Sequence, residues 1–282
     1  MIAITGVSGQ LGRQVVEELL KTVEARSVVA IVRTPAKVSD LAERGVQVRA
    51  GDYNDRAAMQ QALAGVEKLL LVSSSEVGQR AVQHRNVIDA AKAAGVKLIA
   101  YTSLLHADIS PLGLAEEHVA TEKMLKESGV PFVLLRNGWY TENYLASVPA
   151  ALQHGVFTGS AGAGKIASAT RADYAVAAAK VLTLGSQAGK TYELAGDRGW
   201  TLAELAEEVS RQSGKTVVYQ NFSEAEFKAA LLGAGLPEGF AAMLANSDIG
   251  ASKGGLFDDS HQLSQLIGRP TTSLEESVRS AM

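Results

Sequence analysis

Residues 1–12 read MIAITGVSGQLG, and this stretch decides how the rest of the chain is interpreted. An apolar run over residues 1–5 predicts a buried strand, and three glycines then follow at three-residue spacing, Gly6, Gly9 and Gly12. Residues 10–21 place their apolar side chains on one helical face, which predicts a helix. A glycine turn between a strand and a helix directs backbone N–H groups at an anion, so we predict a dinucleotide pyrophosphate site here.

Each glycine of this turn has a separate predicted role. Gly6 permits the tight turn, Gly9 lets the backbone approach a phosphate, and Gly12 lets the helix pack closely on the strand. Ser8 adds a hydroxyl donor beside the same phosphates. A simple loop is the alternative interpretation, but a second apolar run at residues 28–32 lies at the distance expected of a βαβ unit and favours binding.

Arg33 follows the second predicted strand, where a site selective for NAD usually has an Asp or Glu. An arginine at this position suits a ribose 2′-phosphate, and Lys37 is a second candidate cation. No carboxylate follows before Asp40. The sequence therefore favours NADPH over NADH, the alternative being a surface arginine at a strand edge.

Short runs rich in Val, Leu and Ile alternate with helical stretches as far as residue 136, which is typical of parallel strands covered by helices on both faces. We predict a doubly wound, Rossmann-type α/β fold with six parallel strands in this part of the chain. The predicted strands are residues 1–5, 28–32, 46–50, 68–72, 98–102 and 132–135, and the predicted helices are residues 10–21, 56–63, 79–94 and 114–127.

The remaining residues predict a smaller, partly interleaved C-terminal α/β domain. We place the nucleotide-binding domain at residues 1–150, with segments around 170–200 returning to it, and the substrate-cleft domain at 151–282. Thr201 and Glu204 form a capping box. Residues 154–165 are glycine-rich but lack the spacing of a phosphate loop, so we expect a flexible surface loop. Predicted elements are helices at 172–184, 224–232 and 274–278, strands at 190–194 and 217–219, and the capped helix after Thr201.

Composition excludes several classes of protein. The chain is 46% hydrophobic and 20% charged, with a net charge of −3 and a pI near 6.0, so nucleic acid is not an expected partner. No apolar stretch approaches the ~20 residues that span a bilayer, and no secretory signal opens the chain, so we expect no membrane partner and a cytoplasmic location. Without cysteine, redox chemistry requires a cofactor.

Several polar residues follow predicted strands at the edge where the cofactor is expected. Ser73, Ser74 and Ser75 follow the fourth strand and either line the cofactor or only terminate the strand. Tyr101 ends the fifth strand and is a candidate to polarise a substrate carbonyl.

His118 and Glu122 lie four residues apart on one helix face. The near-neutral pKa of an unperturbed histidine makes His118 a candidate proton donor, and a histidine paired with Glu122 for helix stability is the alternative. No third ligand is visible beside them, so no metal site is predicted.

Aromatic and amide side chains are concentrated after the sixth strand. Trp139, Tyr140 and Tyr144 are candidates to wall a flat aromatic substrate, with Asn143 as a further substrate contact. Simple core packing is the alternative.

Longer motifs match a known family. TGVSGQLG, YTS, LLRNGWYTENY, ATRADYA and IGRPTTSLEE resemble, over essentially the whole chain, the NmrA-like atypical short-chain dehydrogenase/reductases. Within the family, SSSEVGQR, HRNVI, YTSLLHAD and SKGGLFDD resemble the flavin-free NADPH-dependent quinone reductases, with triarylmethane dye reductase as a near relative.

The resemblance implies which residues hold the cofactor. It implies that Gly6, Val7, Ser8, Gly9, Gln10 and Leu11 cradle the pyrophosphate and that Arg33 takes the 2′-phosphate. Ser73–Ser75 and the segment Asn137, Gly138, Trp139 and Tyr140 would flank the ribose and nicotinamide. His118 and Glu122 stand where ordinary short-chain dehydrogenases have a Tyr-x-x-x-Lys pair. Without this tyrosine and lysine, the chain is not expected to oxidise alcohols as those enzymes do.

The implied activity is hydride transfer from NADPH to a quinone, held about 3 to 3.5 Å from the hydride carbon, without flavin or metal. The alternatives are reduction of a triarylmethane dye and, because NmrA itself is regulatory, an NADP(H) sensor acting through a protein partner.

Overall fold

The computed structural model describes residues 1–282, with a seven-stranded sheet in the order β3-β2-β1-β4-β5-β6-β8 and a two-stranded sheet of β7 and β9. The strands are β1 Ile2–Thr5, β2 Val28–Val32, β3 Gln47–Ala50, β4 Lys68–Leu71, β5 Leu98–Leu104, β6 Phe132–Asn137, β7 Val156–Gly159, β8 Thr191–Leu194 and β9 Val218–Asn221.

Helices connect these strands throughout the chain. They are α1 Gln10–Leu19, α2 Ser39–Glu43, α3 Arg56–Ala62, α4 Arg80–Ala93, α5 Ala115–Ser128, α6 Thr141–Leu145, α7 Val148–His154, α8 Arg171–Thr183, α9 Leu202–Ser213, α10 Glu224–Gly233, α11 Glu238–Ser252, α12 Gln262–Ile267 and α13 Leu274–Ser280.

The large sheet is parallel and doubly wound, as predicted. β1 pairs in parallel with β2 on one side and β4 on the other, and β2–β3 and β4–β5 pairings continue the sheet outwards. Backbone hydrogen bonds advance in the same direction along β6 and β8, from Gly189–Phe132 to Gly138–Leu194. The six strands predicted as far as residue 136 are confirmed as β1–β6, and the strand predicted at 190–194 is β8, which adds a seventh strand beside β6.

Contacts divide the chain into two compact units. The first contains Met1–Leu104, Glu116–Arg136 and Arg171–Tyr192, and the second contains Leu105–Ala115, Asn137–Thr170 and Glu193–Met282. The division into domains 1–150 and 151–282 stays a prediction. No helix combines the length and the apolar character needed to cross a membrane.

The core of the first unit lies between β1–β6 and the helices that follow them. All five residues of β2 are buried, which explains its unbroken apolar sequence. One cluster joins strand residues such as Ile31 and Leu69 to Met59 of α3, Ile88 of α4 and Leu125 of α5. This packing fixes the strand ends from which the candidate site residues project.

In the second unit, three helices begin with complete capping boxes. Thr201–Glu204 starts α9 as predicted, and Ser223–Glu226 and Ser273–Glu276 start α10 and α13. The expected flexible loop at 154–165 is wrong in part, because Val156–Gly159 forms β7 and buries Phe157. This strand pairs in parallel with β9 along one of its edges.

Candidate functional site

The glycine turn has the geometry that its sequence predicts. Gly6 has a φ of +63°, and the Gly9 N–H donates to the Gly6 carbonyl at 2.9 Å. A Cβ at Gly12 would lie 2.6 Å from the Gly6 oxygen, so only glycine lets α1 approach the turn this closely. Gly9 caps α1 without a side-chain hydrogen bond, which leaves the first-turn amides available to an anion.

Arg33 stands directly after β2 and forms an ion pair. Its Nη1 donates to Oε1 of Glu76 at 3.0 Å, and the two side chains are 67% and 43% exposed. An exposed guanidinium at this strand end is accessible to a phosphate, in keeping with its predicted role. Glu76 was not among the predicted site residues, and nothing in the local sequence pairs it with a residue 43 positions earlier.

Buried side chains anchor the segment Ser73–Ser75, which follows β4. The Ser73 N–H donates to Thr102 Oγ1 at 2.8 Å. The Ser74 N–H donates to His84 Nε2 at 2.9 Å, and the Ser74 carbonyl accepts from Arg80 Nε at 2.5 Å. The backbone of the predicted cofactor segment is therefore held by β5 at Ser73 and by α4 at Ser74.

The state of His84 follows from its partners. Because Nε2 accepts from Ser74, Nδ1 carries the proton and donates to Thr121 Oγ1 at 2.9 Å. The Thr121 hydroxyl in turn donates to the Glu117 carbonyl at 2.9 Å. Burial, and then the charge of Arg80, lower the pKa of His84 to about 3. His84 is therefore a neutral structural link.

The two predicted catalytic residues contact each other. The ring nitrogen Nδ1 of His118 lies 2.7 Å from the Tyr101 hydroxyl, and its Nε2 lies 3.4 Å from Arg80 Nη1. A guanidinium only donates, so Nε2 accepts and Nδ1–H donates to Tyr101. Burial raises the pKa of Tyr101 above its ordinary value.

The near-neutral pKa expected for His118 is wrong. Burial lowers it to about 3, with smaller contributions from the Arg80 charge and His84. Tyr101 is fully buried and His118 is 5% exposed. The catalytic roles of Tyr101 and His118 stay predictions. If His118 takes part in the reaction, it does so as a buried, neutral imidazole.

Glu122 pairs with Arg136 and not with His118, so the alternative of a helix-stabilising His118–Glu122 pair is wrong. Its carboxylate accepts from Arg136 Nε at 2.9 Å and Nη2 at 2.8 Å, and from Ser103 Oγ at 2.7 Å. Both members of this ion pair are buried. The bidentate geometry ties α5 to β6 and β5.

The remaining predicted residues belong to the second unit. Trp139 and Tyr144 are buried, and Tyr144 packs edge-on against Trp200 with ring centroids 5.3 Å apart. This burial favours the core-packing alternative for both rings. Tyr140 forms a parallel bridge with Ala169, and Asn143 is half-buried.

Asn137 and Gly138 end the sixth strand in a closely packed position. The Gly138 N–H donates to the Leu194 carbonyl at 2.7 Å. Oδ1 of Asn137 is buried without a hydrogen-bond partner. A buried unpaired carboxamide oxygen is costly, and it fits a residue whose partner is a bound molecule.

Asp248 of α11 is a buried carboxylate that the sequence analysis missed. Its Oδ2 accepts from the Ser160 N–H at 2.8 Å, and burial raises its pKa to about 6 despite this hydrogen bond. The sequence shows no functional motif around Asp248, and it did not predict the helix α11 that carries this residue.

Comparisons with known proteins place these features in a family. The chain is 70% identical over 278 residues to quinone oxidoreductase 2 of Escherichia coli (strain K12), covering 99% of this chain and 97% of that protein. The crystal structure of the E. coli NADPH-dependent quinone oxidoreductase complexed with NADPH superimposes with a TM-score of 0.98 at 69% identity, covering 99% of both chains.

A second solved relative is more distant. The Citrobacter sp. triphenylmethane reductase complexed with NADP(H) superimposes with a TM-score of 0.96 at 43% identity, covering 100% of both chains. The family model described as NmrA-like family matches residues 1–278. The chain therefore belongs to the NmrA-like family.

Proposed function

We propose that the protein is an NADPH-dependent reductase that transfers hydride to a quinone. The observation that carries this proposal is the 70% identity, over nearly the full length of both chains, to E. coli quinone oxidoreductase 2. The net reaction consumes a quinone, NADPH and a proton and yields a hydroquinone and NADP⁺.

The residues of the first unit fit a dinucleotide with a 2′-phosphate. Gly12 lets α1 start directly against the backbone of Gly6, and the amides of the first turn of α1 carry no side-chain cap. Arg33 supplies a cation at the next strand end. We assign the turn from Gly6 to Gly12 to the pyrophosphate and Arg33 to the 2′-phosphate.

We further propose which residues orient the nicotinamide and the quinone. The anchored Ser73–Ser75 segment and the unpaired Oδ1 of Asn137 support contacts with the cofactor. When bound, NADPH supplies the hydride. Asn143 is the proposed quinone contact among the predicted substrate residues, and the buried rings of Trp139 and Tyr144 are proposed to fix the shape of the surface that the quinone meets.

The chain needs no strongly acidic side chain for this reaction. A quinone accepts hydride readily, and the resulting phenolate oxygen takes a proton from water. A neutral, buried His118 is consistent with protonation by water. The protein accelerates the reaction mostly by holding the quinone and NADPH together.

The testing experiment follows NADPH absorbance while purified protein is mixed with 1,4-benzoquinone or 1,4-naphthoquinone, with no flavin or metal added. We expect NADPH oxidation proportional to enzyme concentration and hydroquinone formed in equal amount. Tight NADPH binding without turnover of any quinone would contradict the proposal.

A triphenylmethane dye is a second candidate substrate, because a reductase of such dyes is 43% identical over the full length. Reduction of a cationic dye uses the same hydride and removes its colour. Decolorisation of crystal violet with a kcat/KM above that for the quinones would favour this candidate.

We also propose a cytoplasmic location, where NADPH is supplied.

A further inference from the structure

The Arg33–Glu76 ion pair joins the ends of the two strands on either side of β1. Arg33 follows β2 and Glu76 follows β4, and these two strands flank β1 on opposite sides. Neighbouring strands are about 4.8 Å apart, so the pair connects strand ends separated by about 10 Å. Between them β1 runs into Gly6 and the glycine turn. The ion pair therefore spans the strand end at which the pyrophosphate is proposed to bind.

Further hydrogen bonds define the position of Glu76. Its second oxygen, Oε2, accepts from Gln83 Nε2 at 2.8 Å, and Gln83 is only 2% exposed. The Glu76 N–H donates to Ser74 Oγ at 3.1 Å. Both carboxylate oxygens are therefore engaged, one by the exposed guanidinium and one by a buried amide.

We propose that Glu76 is a specificity-determining residue: its carboxylate competes with the ribose 2′-phosphate for Arg33, so that NADPH has to open this pair to bind. This inference rests on the proposed use of NADPH. A carboxylate and a phosphate are both bound well by a guanidinium fork, so one replaces the other on the same donors.

The size of the effect follows from the exposure of the pair. Exposed ion pairs are weak, so the closed pair leaves a substantial fraction of molecules open, and the apparent Kd rises by the inverse of that fraction. Removal of the competing charge should tighten NADPH binding about two- to sixfold. Gln83 holds the Glu76 carboxylate near Arg33. Because only a 2′-phosphate competes with this carboxylate for Arg33, the gain in affinity should be larger for 2′-phosphorylated ligands than for NADH.

The test measures the Kd of NADPH, NADH and adenosine 2′,5′-bisphosphate by titration without quinone, for wild type and for Glu76→Gln. Glu67→Gln is the matched control, because Glu67 immediately precedes β4, at its opposite end, and forms an exposed pair with Lys97 at 2.8 Å. The same exchange is repeated in an Arg33→Ala background, where the guanidinium that pairs with Glu76 is absent.

We expect Glu76→Gln to bind NADPH and the bisphosphate two- to sixfold more tightly, Glu67→Gln to match wild type, and the gain to vanish when Arg33 is absent. An unchanged or raised Kd in Glu76→Gln, or a gain that persists without Arg33, would overturn the inference alone. Wild-type protein that binds neither NADPH nor the bisphosphate would overturn the proposed cofactor as well.

Discussion

His84 Nε2 accepts the backbone N–H of Ser74 at 2.9 Å, and its other nitrogen donates to Thr121 of α5 at the same distance. One imidazole thus connects the segment after β4 to two helices. These partners set the tautomer of His84, and burial, which lowers its pKa to about 3, keeps the ring neutral across the physiological range.

The first prediction concerns this link. His84→Leu leaves the Ser74 N–H without its acceptor and should lower the free energy of unfolding by about 1–3 kcal/mol. It should also raise the KM for NADPH, because the Ser73–Ser75 segment loses an anchor. His84→Gln places an amide oxygen near the position of Nε2 and should recover most of both effects. Urea unfolding and steady-state kinetics measure them, and equal damage in both variants would contradict the positioning role.

A second prediction concerns the pH dependence of turnover. Because the pKa of His118 is about 3, its protonation cannot produce an inflection between pH 5.5 and 8. Wild type and His118→Asn should therefore give parallel kcat profiles over this range, whatever their absolute rates. An inflection near pH 6.5 that disappears in the variant would restore His118 as a titrating proton donor.

The buried pair of Glu122 and Arg136 gives a third prediction. Glu122→Gln removes the buried carboxylate charge that faces the guanidinium of Arg136 and should cost about 3–5 kcal/mol of unfolding free energy. The control is Glu127→Gln on the same helix, whose exposed partner Lys123 lies 3.9 Å away, with an expected cost below about 0.5 kcal/mol. Similar losses in the two variants, measured by chemical denaturation, would contradict this difference.

Asp248 gives a fourth prediction. Its folded pKa of about 6 exceeds the ordinary value of 3.8, so its contribution to stability is complete below pH 3.8 and is lost as pH rises towards 6. Asp248→Asn removes this loss and should gain about 3 kcal/mol relative to wild type between pH 3.5 and pH 7. A constant difference between the two unfolding free energies over this range would show that Asp248 does not titrate as described.

Local patterns in the sequence predicted the first unit well. β2 is an unbroken apolar run, α1 places its apolar side chains on one face, and the glycine turn and the Thr201 capping box act through residues close in sequence. Such features depend little on the rest of the fold.

Elements that depend on tertiary packing were missed. α11 is the longest helix, yet it contains Gly239 and Gly250 and residues of low helix propensity, so burial against other elements has to stabilise it. α12 begins at Gln262, directly after His261, whose φ is +56° and whose side chain makes no capping hydrogen bond.

The candidate site shows the same limit. The glycine turn and Arg33 were recognised from local sequence, whereas the contacts of Arg33 with Glu76, and of His84 with Ser74 and Thr121, join residues 43, 10 and 37 positions apart. Burial also reversed the expected state of His118, and a sequence pattern does not report the desolvation that causes this shift.

The measurement that tests the account most directly compares kcat/KM for NADPH and NADH with 1,4-benzoquinone in wild type and Arg33→Ala. If Arg33 binds the 2′-phosphate, wild type should prefer NADPH, and the variant should lose at least about tenfold with NADPH while its activity with NADH changes little. Equal loss with both cofactors, or no preference in wild type, would contradict the assignment of Arg33 and the NADPH-dependent function built on it.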